Sequence, residues 1–230
     1  MNTREKILLE ALRLFSQRGY DAVSVEQIAQ AVGIRAPSLY KHYKGKQDIF
    51  DAILAETARR YAAFADGICV HTGSPQEDRQ TFALLTADAL VSKLRALVAY
   101  SLHDEFVSQL RRMLTIEQFR SPELSSLYSQ RYVSQLHDYH TALFARLMDA
   151  GFLQREDPAL LAMLYDAPVF VALGECDRHP EREEELTRQL EAHVRLFVRT
   201  FGLHQEERPA NGGRKPGDIR SDINEGKETP

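Results

Sequence analysis

Residues 24–46, SVEQIAQAVGIRAPSLYKHYKGK, decide how the rest of the chain is read. Ser24 with Gln27 three positions on is a capping box, in which each side chain satisfies the other residue's free backbone N–H. Val23 and Ile28 stand at the positions of a hydrophobic staple. The helix opened this way is expected to run to about Val32. Gly33 should stop it, because glycine enters the left-handed region without strain. Pro37 falls in the first turn of the next helix, where a missing N–H costs little. That helix carries Tyr40, Lys41 and His42 outward, with Leu39 facing the core, and breaks near Gly45. A longer helix is expected from about Lys46 to Ile68, with Ile49, Phe50, Ile53, Leu54, Ala58, Tyr61 and Ala65 as its apolar stripe.

The charge is distributed unevenly around this stretch. The 230-residue chain has a net charge of −4. Residues 1–60 hold 10 lysines and arginines against 7 acids, whereas the remainder holds 19 against 26. Arg35, Lys41, Lys44 and Lys46 are four cations with no acid between them. A local basic face on an acidic protein suits a localised polyanion contact. The hydrophobic content of 43% is enough for a real core.

Working outward, helical spacing recurs and nothing alternates as a strand would. Ile7, Leu8, Ala11, Leu12 and Phe15 form the stripe of a first helix ending near Gly19. HTGSPQED marks a boundary, and within it Ser74, Pro75 and Glu77 read as a cap opening a helix to about Tyr100. A helix near 104–119 stops at Ser121-Pro122, which starts a long one ending before Gly151. Asp157-Pro158 opens another, in which Pro168 should cause a kink or an early end. Pro180 precedes the last helix, which Gly202 ends. The expected fold is all-α with about nine helices. The divisions are a three-helix head over residues 1–60, a larger helical body over 61–204 and a disordered polar tail over 205–230.

Cys69 and Cys176 make no disulfide framework, the N-terminus lacks a signal-peptide pattern, and the apolar run 159–174 contains Asp166 and Pro168 and is short for a bilayer. A soluble cytoplasmic protein without membrane contact is expected. GxSxG, HExxH, Walker and GxGxxG motifs are lacking, so neither an enzyme nor a cofactor is expected. His137 and His140 lie one turn apart, but with no cysteine or firm carboxylate partner nearby no metal is expected.

Two short helices around the turn Gly33-Ile34-Arg35 have the spacing of a helix-turn-helix, whose second helix presents its N-terminal residues to base edges. Arg35 and Lys41 can reach phosphates or guanine edges, and Ser38 can bond to either. Tyr40 and His42 offer polar tips on flat bodies, and Lys46 stands at a helix N-terminus that already favours an anion. By spacing alone, a solvated charged face fits the same pattern.

The stretch GIRAPSLYKHYKGKQDIFDAIL, preceded by SVEQIAQAVG and ILLEALRLFSQRGYDAVSV, resembles the TetR family of bacterial transcriptional regulators over residues 4–55. The Tyr-x-His core of the recognition helix is Tyr40 and His42, and the lysine opening the fourth helix is Lys46. The resemblance implies a homodimer whose recognition helices enter successive major grooves of a palindromic double-stranded DNA operator. It also implies a small-molecule effector that releases the DNA. By position, Ser24, Tyr40, His42 and Lys46 are the phosphate-side residues. Arg35, Pro37, Ser38 and Lys41 are the groove-side residues. Glu26 departs from relatives that place a cation there.

Beyond residue 70 the resemblance is architectural. The family dimerises through its last two helices, which the stripe Leu186, Leu190, Val194, Phe197 and Phe201 would suit. The same stripe suits an intramolecular core. Candidate effector contacts are Phe64, Phe82, His103, Phe106, Met113, Tyr132, His137, Phe144, Asp166 and Phe170, each of which also fits a core position. Leu102 and Met163 are further candidate liners, and His140, like His103, His137 and Asp166, would require a partner if buried.

Overall fold

The computed structural model describes residues 2–67, Pro75, Asp78 and 86–202. The expected cap at Ser74 and Glu77, together with Cys69, Phe82 and the tail from residue 205, lies outside the described residues. Helices α1 (Thr3–Arg18), α2 (Val25–Val32), α3 (Ala36–Leu39) and α4 (Lys46–Gly67) come first. They are followed by α5 (Ala87–His103), α6 (Glu105–Glu117) and α7 (Pro122–Ser129). A π-helical segment, Gln130–Ser134, joins α7 to α8 (Gln135–Asp149). Then come α9 (Pro158–Arg178), a 3-10 turn at Pro180–Arg182 and α10 (Glu183–Phe201). Because α7, the π segment and α8 run on without a gap, the described residues form nine helical rods. Their extended pairing is limited to an isolated bridge between Leu153 and Gly202.

Local signals explain most boundaries. Asn2 caps α1 with Glu5 in a reciprocal box, and Ser24 does the same for α2 with Gln27. Asp104, Ser121 and Asp157 cap α6, α7 and α9 through their side chains. One boundary differs from the sequence reading. The helix reaching Tyr100 starts at Ala87, because Thr86 is extended and its hydroxyl accepts from the Ala89 N–H. Pro168 does not end α9, which runs to Arg178. The hydrogen bond that proline removes is outweighed by packing against α8 and α10. In α4 the stripe is shifted by one residue at its middle. Thr57 is buried with its hydroxyl on the Ile53 carbonyl (2.8 Å), and Ala58 is exposed.

Three apolar clusters fill the molecule. The first joins α1–α4 to Phe106, Leu110, Met113 and Leu114 of α6 and to Leu124 of α7. The head core is therefore shared with α6. Phe106 and Met113, expected around an effector, belong to this head-packing layer, and Arg60 lies over the Phe106 ring at 4.3 Å. The second cluster packs α5, α9 and α10 through Val91, Leu94, Val98, Val169, Ala172, Leu186, Leu190 and Val194. The third packs α8 and α9 with Phe197.

The stripe expected at the dimer seam faces inward within the chain. Leu186, Leu190, Val194 and Phe197 are buried within their own chain, and Phe201 packs against the third cluster. Helical periodicity shows that a face is covered, and here α5, α8 and α9 cover it. The uncovered apolar face lies on α9 instead: Leu160, Met163, Leu164, Phe170 and Val171 are all exposed, as is Leu196 of α10. This makes α9, among the described residues, long and apolar enough to cross a membrane, contrary to the reading of 159–174 as too short. Its opposite face carries core residues, and Asp166 beside them is in hydrogen-bond contact with His140.

Candidate nucleic-acid interface

The α2–α3 unit is built by its caps. Gly33 is left-handed (φ 78°, ψ 28°), and the Ile34 N–H reaches back to the Ala29 carbonyl at 2.9 Å, closing the end of α2. Arg35 is extended (φ −82°, ψ 147°) and precedes α3 without spending its side chain on a cap. The α-helical part of α3 is shorter than the sequence suggests. After Leu39 the chain continues in turns, with the Lys41 and His42 N–H groups on the Ser38 and Leu39 carbonyls at 3.2 and 2.8 Å. Two anchors set this tighter path. Leu39 is fully buried, and Tyr43 is nearly so, accepting from Arg4 Nε at 3.1 Å.

With those anchors inward, Arg35, Pro37, Tyr40, Lys41, His42 and Lys44 are exposed, and Ser38 is half-buried. Tyr40 is 51% exposed, a high figure for a residue flanked by buried Leu39 and Tyr43. Arg35, Lys41 and Lys44 make no ion pair among the described residues. Surface arginines elsewhere do: Arg59 with Glu56, Arg112 with Asp177, Arg188 with Glu184 and Arg195 with Asp88. The basic face around α3 is left open, whereas these four arginines are each neutralised by an acid. Sequence reasoning missed Arg4, whose guanidinium rests 5.1 Å from the Tyr43 ring and carries the basic face onto the start of α1. Its alignment with α3 depends on a contact 39 residues away.

Two expected contact residues are already engaged by the protein. The Ser24 hydroxyl accepts the Gln27 N–H at 3.3 Å. Hydrogen bonding from Ser24, and then from its own N–H, holds the exposed Glu26 carboxyl below its ordinary range. Lys46 stands at the start of α4, but its Nζ donates to the Tyr20 carbonyl at 2.9 Å and lies 4.3 Å from the Tyr20 ring. Its ammonium holds the α1–α2 connection. Lys46→Ala is therefore expected to cost about 1–2 kcal/mol of stability and to leave the salt dependence of DNA binding nearly unchanged. An unchanged melting temperature with a log–log salt slope flattened by about 0.9 would assign the ammonium to a phosphate instead.

The expected effector contacts do not converge as a set. Phe64 stacks on Tyr100, with ring centroids 4.1 Å apart and planes within 4°. His103 is on the surface, paired with Glu183 at 2.9 Å, and Phe170 is 45% exposed. Phe144 lies in an aromatic cluster with His140, Tyr165 and Phe197. His140 Nδ1 is 2.6 Å from Asp166 Oδ1, a carboxylate partner the sequence did not reveal. No group of three or more metal-ligating side chains occurs among the described residues. His137 is half-buried one turn from His140.

Buried hydroxyl and amide oxygens without partners among the described residues mark the interior of the body more clearly. They are Tyr100 Oη on α5, Gln109 Oε1 on α6, Tyr132 Oη on the π segment and Thr141 Oγ1 on α8. Burial pushes both tyrosine hydroxyls up to about 12, so they remain protonated donors at neutral pH. Buried polar groups in proteins are ordinarily hydrogen-bonded to protein or to ordered water. A π segment inserted in a long rod is frequent at functional sites.

Comparison with known proteins converges on one family. Residues 7–53 match the model of the bacterial regulatory proteins of the tetR family, and residues 88–202, half of the chain, match the AefR-like transcriptional repressor C-terminal domain. The repressor ComR of Escherichia coli is 38% identical over 60 residues, which is 26% of this chain and 29% of ComR. The regulator AcrR of Shigella flexneri is 47% identical over 51 residues, 22% of this chain and 24% of AcrR. The chain thus spans about a quarter of the length of these relatives. A TetR-family regulator from Mesorhizobium loti shares the fold over 87% of this chain and 97% of its own, with a TM-score of 0.62 and 24% identity. SmeT in complex with triclosan does so over 98% and 100%, with a TM-score of 0.61 and 21% identity. With its tetR-type head and AefR-like body both matched, the chain belongs to the TetR family of bacterial transcriptional regulators, proteins that bind DNA through a helix-turn-helix.

Proposed function

We propose that the protein is a repressor that binds a palindromic operator as a homodimer and is released by a small-molecule effector. The observation that carries this reading is the open basic face of α3. Arg35, Lys41 and Lys44 project from a segment anchored by Leu39 and Tyr43, and their side chains make no ion pair among the described residues. A rigid platform with unpaired cations and an exposed tyrosine suits phosphate positioning together with groove contact. Tyr40 and His42 take the backbone side, and Arg35, Pro37, Ser38 and Lys41 the groove side. Ser24 and Lys46 act by holding α2 and the α1–α2 connection in place.

Dimerisation is assigned to the exposed stripe Leu160, Met163, Leu164, Phe170 and Val171 of α9, with Leu196 of α10 at its side. These α9 positions follow the i, i+3, i+4 pattern of a single helical face. A contiguous apolar face of this kind marks an interaction surface, and a second copy of the chain covers it in a self-complementary way. This occupant also accounts for the apolar character of α9 without a bilayer.

The effector site is assigned to the part of the body that carries the Tyr100, Gln109, Tyr132 and Thr141 oxygens, which have no partner among the described residues, with the Phe64–Tyr100 stack as one apolar wall. SmeT, which shares the fold, is known in complex with triclosan. By analogy, an aromatic molecule bearing hydrogen-bonding groups suits the stacked wall and the two tyrosine donors. The reading is tested by selecting sequences from a random duplex pool with the full-length protein. Enrichment of a palindrome with half-sites about one helical turn apart is the expected outcome. No enrichment over a nonspecific pool would sink the reading.

A further inference from the structure

We propose that the buried carboxylate of Glu117, at the end of α6, is a positioning latch that holds the DNA-binding head in register with the body. The location of α6 then sets operator affinity. This rests on the regulatory reading above. Glu117 is 2% exposed, yet it carries a carboxylate. Its Oε1 accepts from the Tyr20 backbone N–H at 3.2 Å, across 97 residues of sequence, with Arg120 Nη1 at 3.9 Å.

Tyr20 lies in the turn Gly19-Tyr20-Asp21, which leads from α1 into α2 and so sets the direction of the helix-turn-helix. Gly19 has φ 88°, and a Cβ there would stand 2.2 Å from Glu117 Oε1. Only glycine leaves the carboxylate room to approach. The other side of the turn is gripped by Lys46 Nζ on the Tyr20 carbonyl (2.9 Å), and the Tyr20 ring lies 5.1 and 5.2 Å from the rings of Phe15 and Phe50. The turn is thus held from within the head by Lys46 and from the body by Glu117.

The same helix is fixed to the body at Arg111. That buried guanidinium donates to both oxygens of Asp177 on α9, at 2.6 and 2.9 Å, and to the Ser101 carbonyl of α5 at 2.7 Å. Between Arg111 and Glu117, α6 connects the helix bearing the proposed dimer face to the turn that aims the head. Phe106, Leu110, Met113 and Leu114 also pack the head onto α6. Apolar contact is non-directional and tolerates sliding. A buried carboxyl oxygen hydrogen-bonded to one N–H does not, because a small shift leaves a buried acceptor without its donor. The carboxylate therefore sets register where the apolar layer sets only proximity. A head free to rotate would lose the effective concentration that a fixed head spacing gives the second half-site.

The test uses the full-length protein and the duplex that the wild type selects from a random pool. Glu117→Ala is expected to speed hydrogen exchange of the Tyr20 amide and to weaken operator binding by about tenfold, with the salt slope unchanged because no phosphate contact is lost. Glu117→Gln keeps a carbonyl acceptor and is expected to restore affinity to within about threefold of wild type. Should the alanine variant not fold, Glu117→Met fills the same space without an acceptor and carries the comparison. Wild-type affinity in the folded acceptor-less variant overturns the latch alone. A glutamine variant as weak as the acceptor-less one overturns it as well. A wild type that selects no sequence overturns the regulatory reading and the latch with it.

Discussion

The double variant Met163→Glu, Val171→Glu is expected to be a folded monomer that has lost nearly all operator affinity. Both side chains are more than half exposed, at 60% and 64%, so neither supports the fold of a single chain. They lie two turns apart on α9, on the side away from the cores formed with α5, α8 and α10. Placing four carboxylates in a self-complementary apolar interface sets like charges against each other in a desolvated setting, at a cost of several kcal/mol. Once the chains separate, each head binds its half-site alone. The gain from linking two heads, about 10²- to 10⁴-fold, disappears. Sedimentation velocity and operator titration check this together. A variant that remains dimeric would place the interface elsewhere, and a monomer with full affinity would remove the dimer from the mechanism.

The second large effect is expected from Arg35→Ala combined with Lys41→Ala. Neither side chain makes an ion pair or hydrogen bond among the described residues, so the melting temperature should stay near that of wild type. If each contact contributes about 1–3 kcal/mol, the pair should cost about 2–6 kcal/mol in operator binding. Lys41→Ala alone should relax preference at one operator position. Tyr40→Phe should weaken all sequences alike, because a phosphate contact carries no base information. Fluorescence anisotropy across a panel of single-base operator variants separates these behaviours. Identical profiles for Lys41→Ala and Tyr40→Phe would refute the division into groove and backbone roles.

Much of the head was legible in the residues themselves. The Ser24–Gln27 box, the left-handed Gly33 and the inward Leu39 each follow from groups within four residues of one another, and the structure has all three. The exposure of Arg35, Lys41 and His42 follows once Leu39 is placed, since a helical turn cannot turn all its faces inward. The body was less legible. The stripe from Leu186 to Phe197 announces a covered face in its spacing, and spacing is the same whether a neighbouring helix or a second chain does the covering. Phe106 and Met113 read as buried, but nothing local says that they are buried against the head. Thr86 carries a weaker local cap pattern than Ser74-Pro75, and the structure shows it opening α5.

The amino-acid sequence determined the helices, their caps and the basic-aromatic face of α3, because these depend on hydrogen bonds and side-chain periodicity over a few residues. The tertiary structure decided which faces meet. It buried the α10 stripe within the chain, left the α9 stripe open, turned Lys46 onto Tyr20 and brought Glu117 against the turn that aims the head. Those pairings join residues from 26 to 97 positions apart. Their partners are chosen by how the whole set of helices packs, and no local pattern encodes that choice.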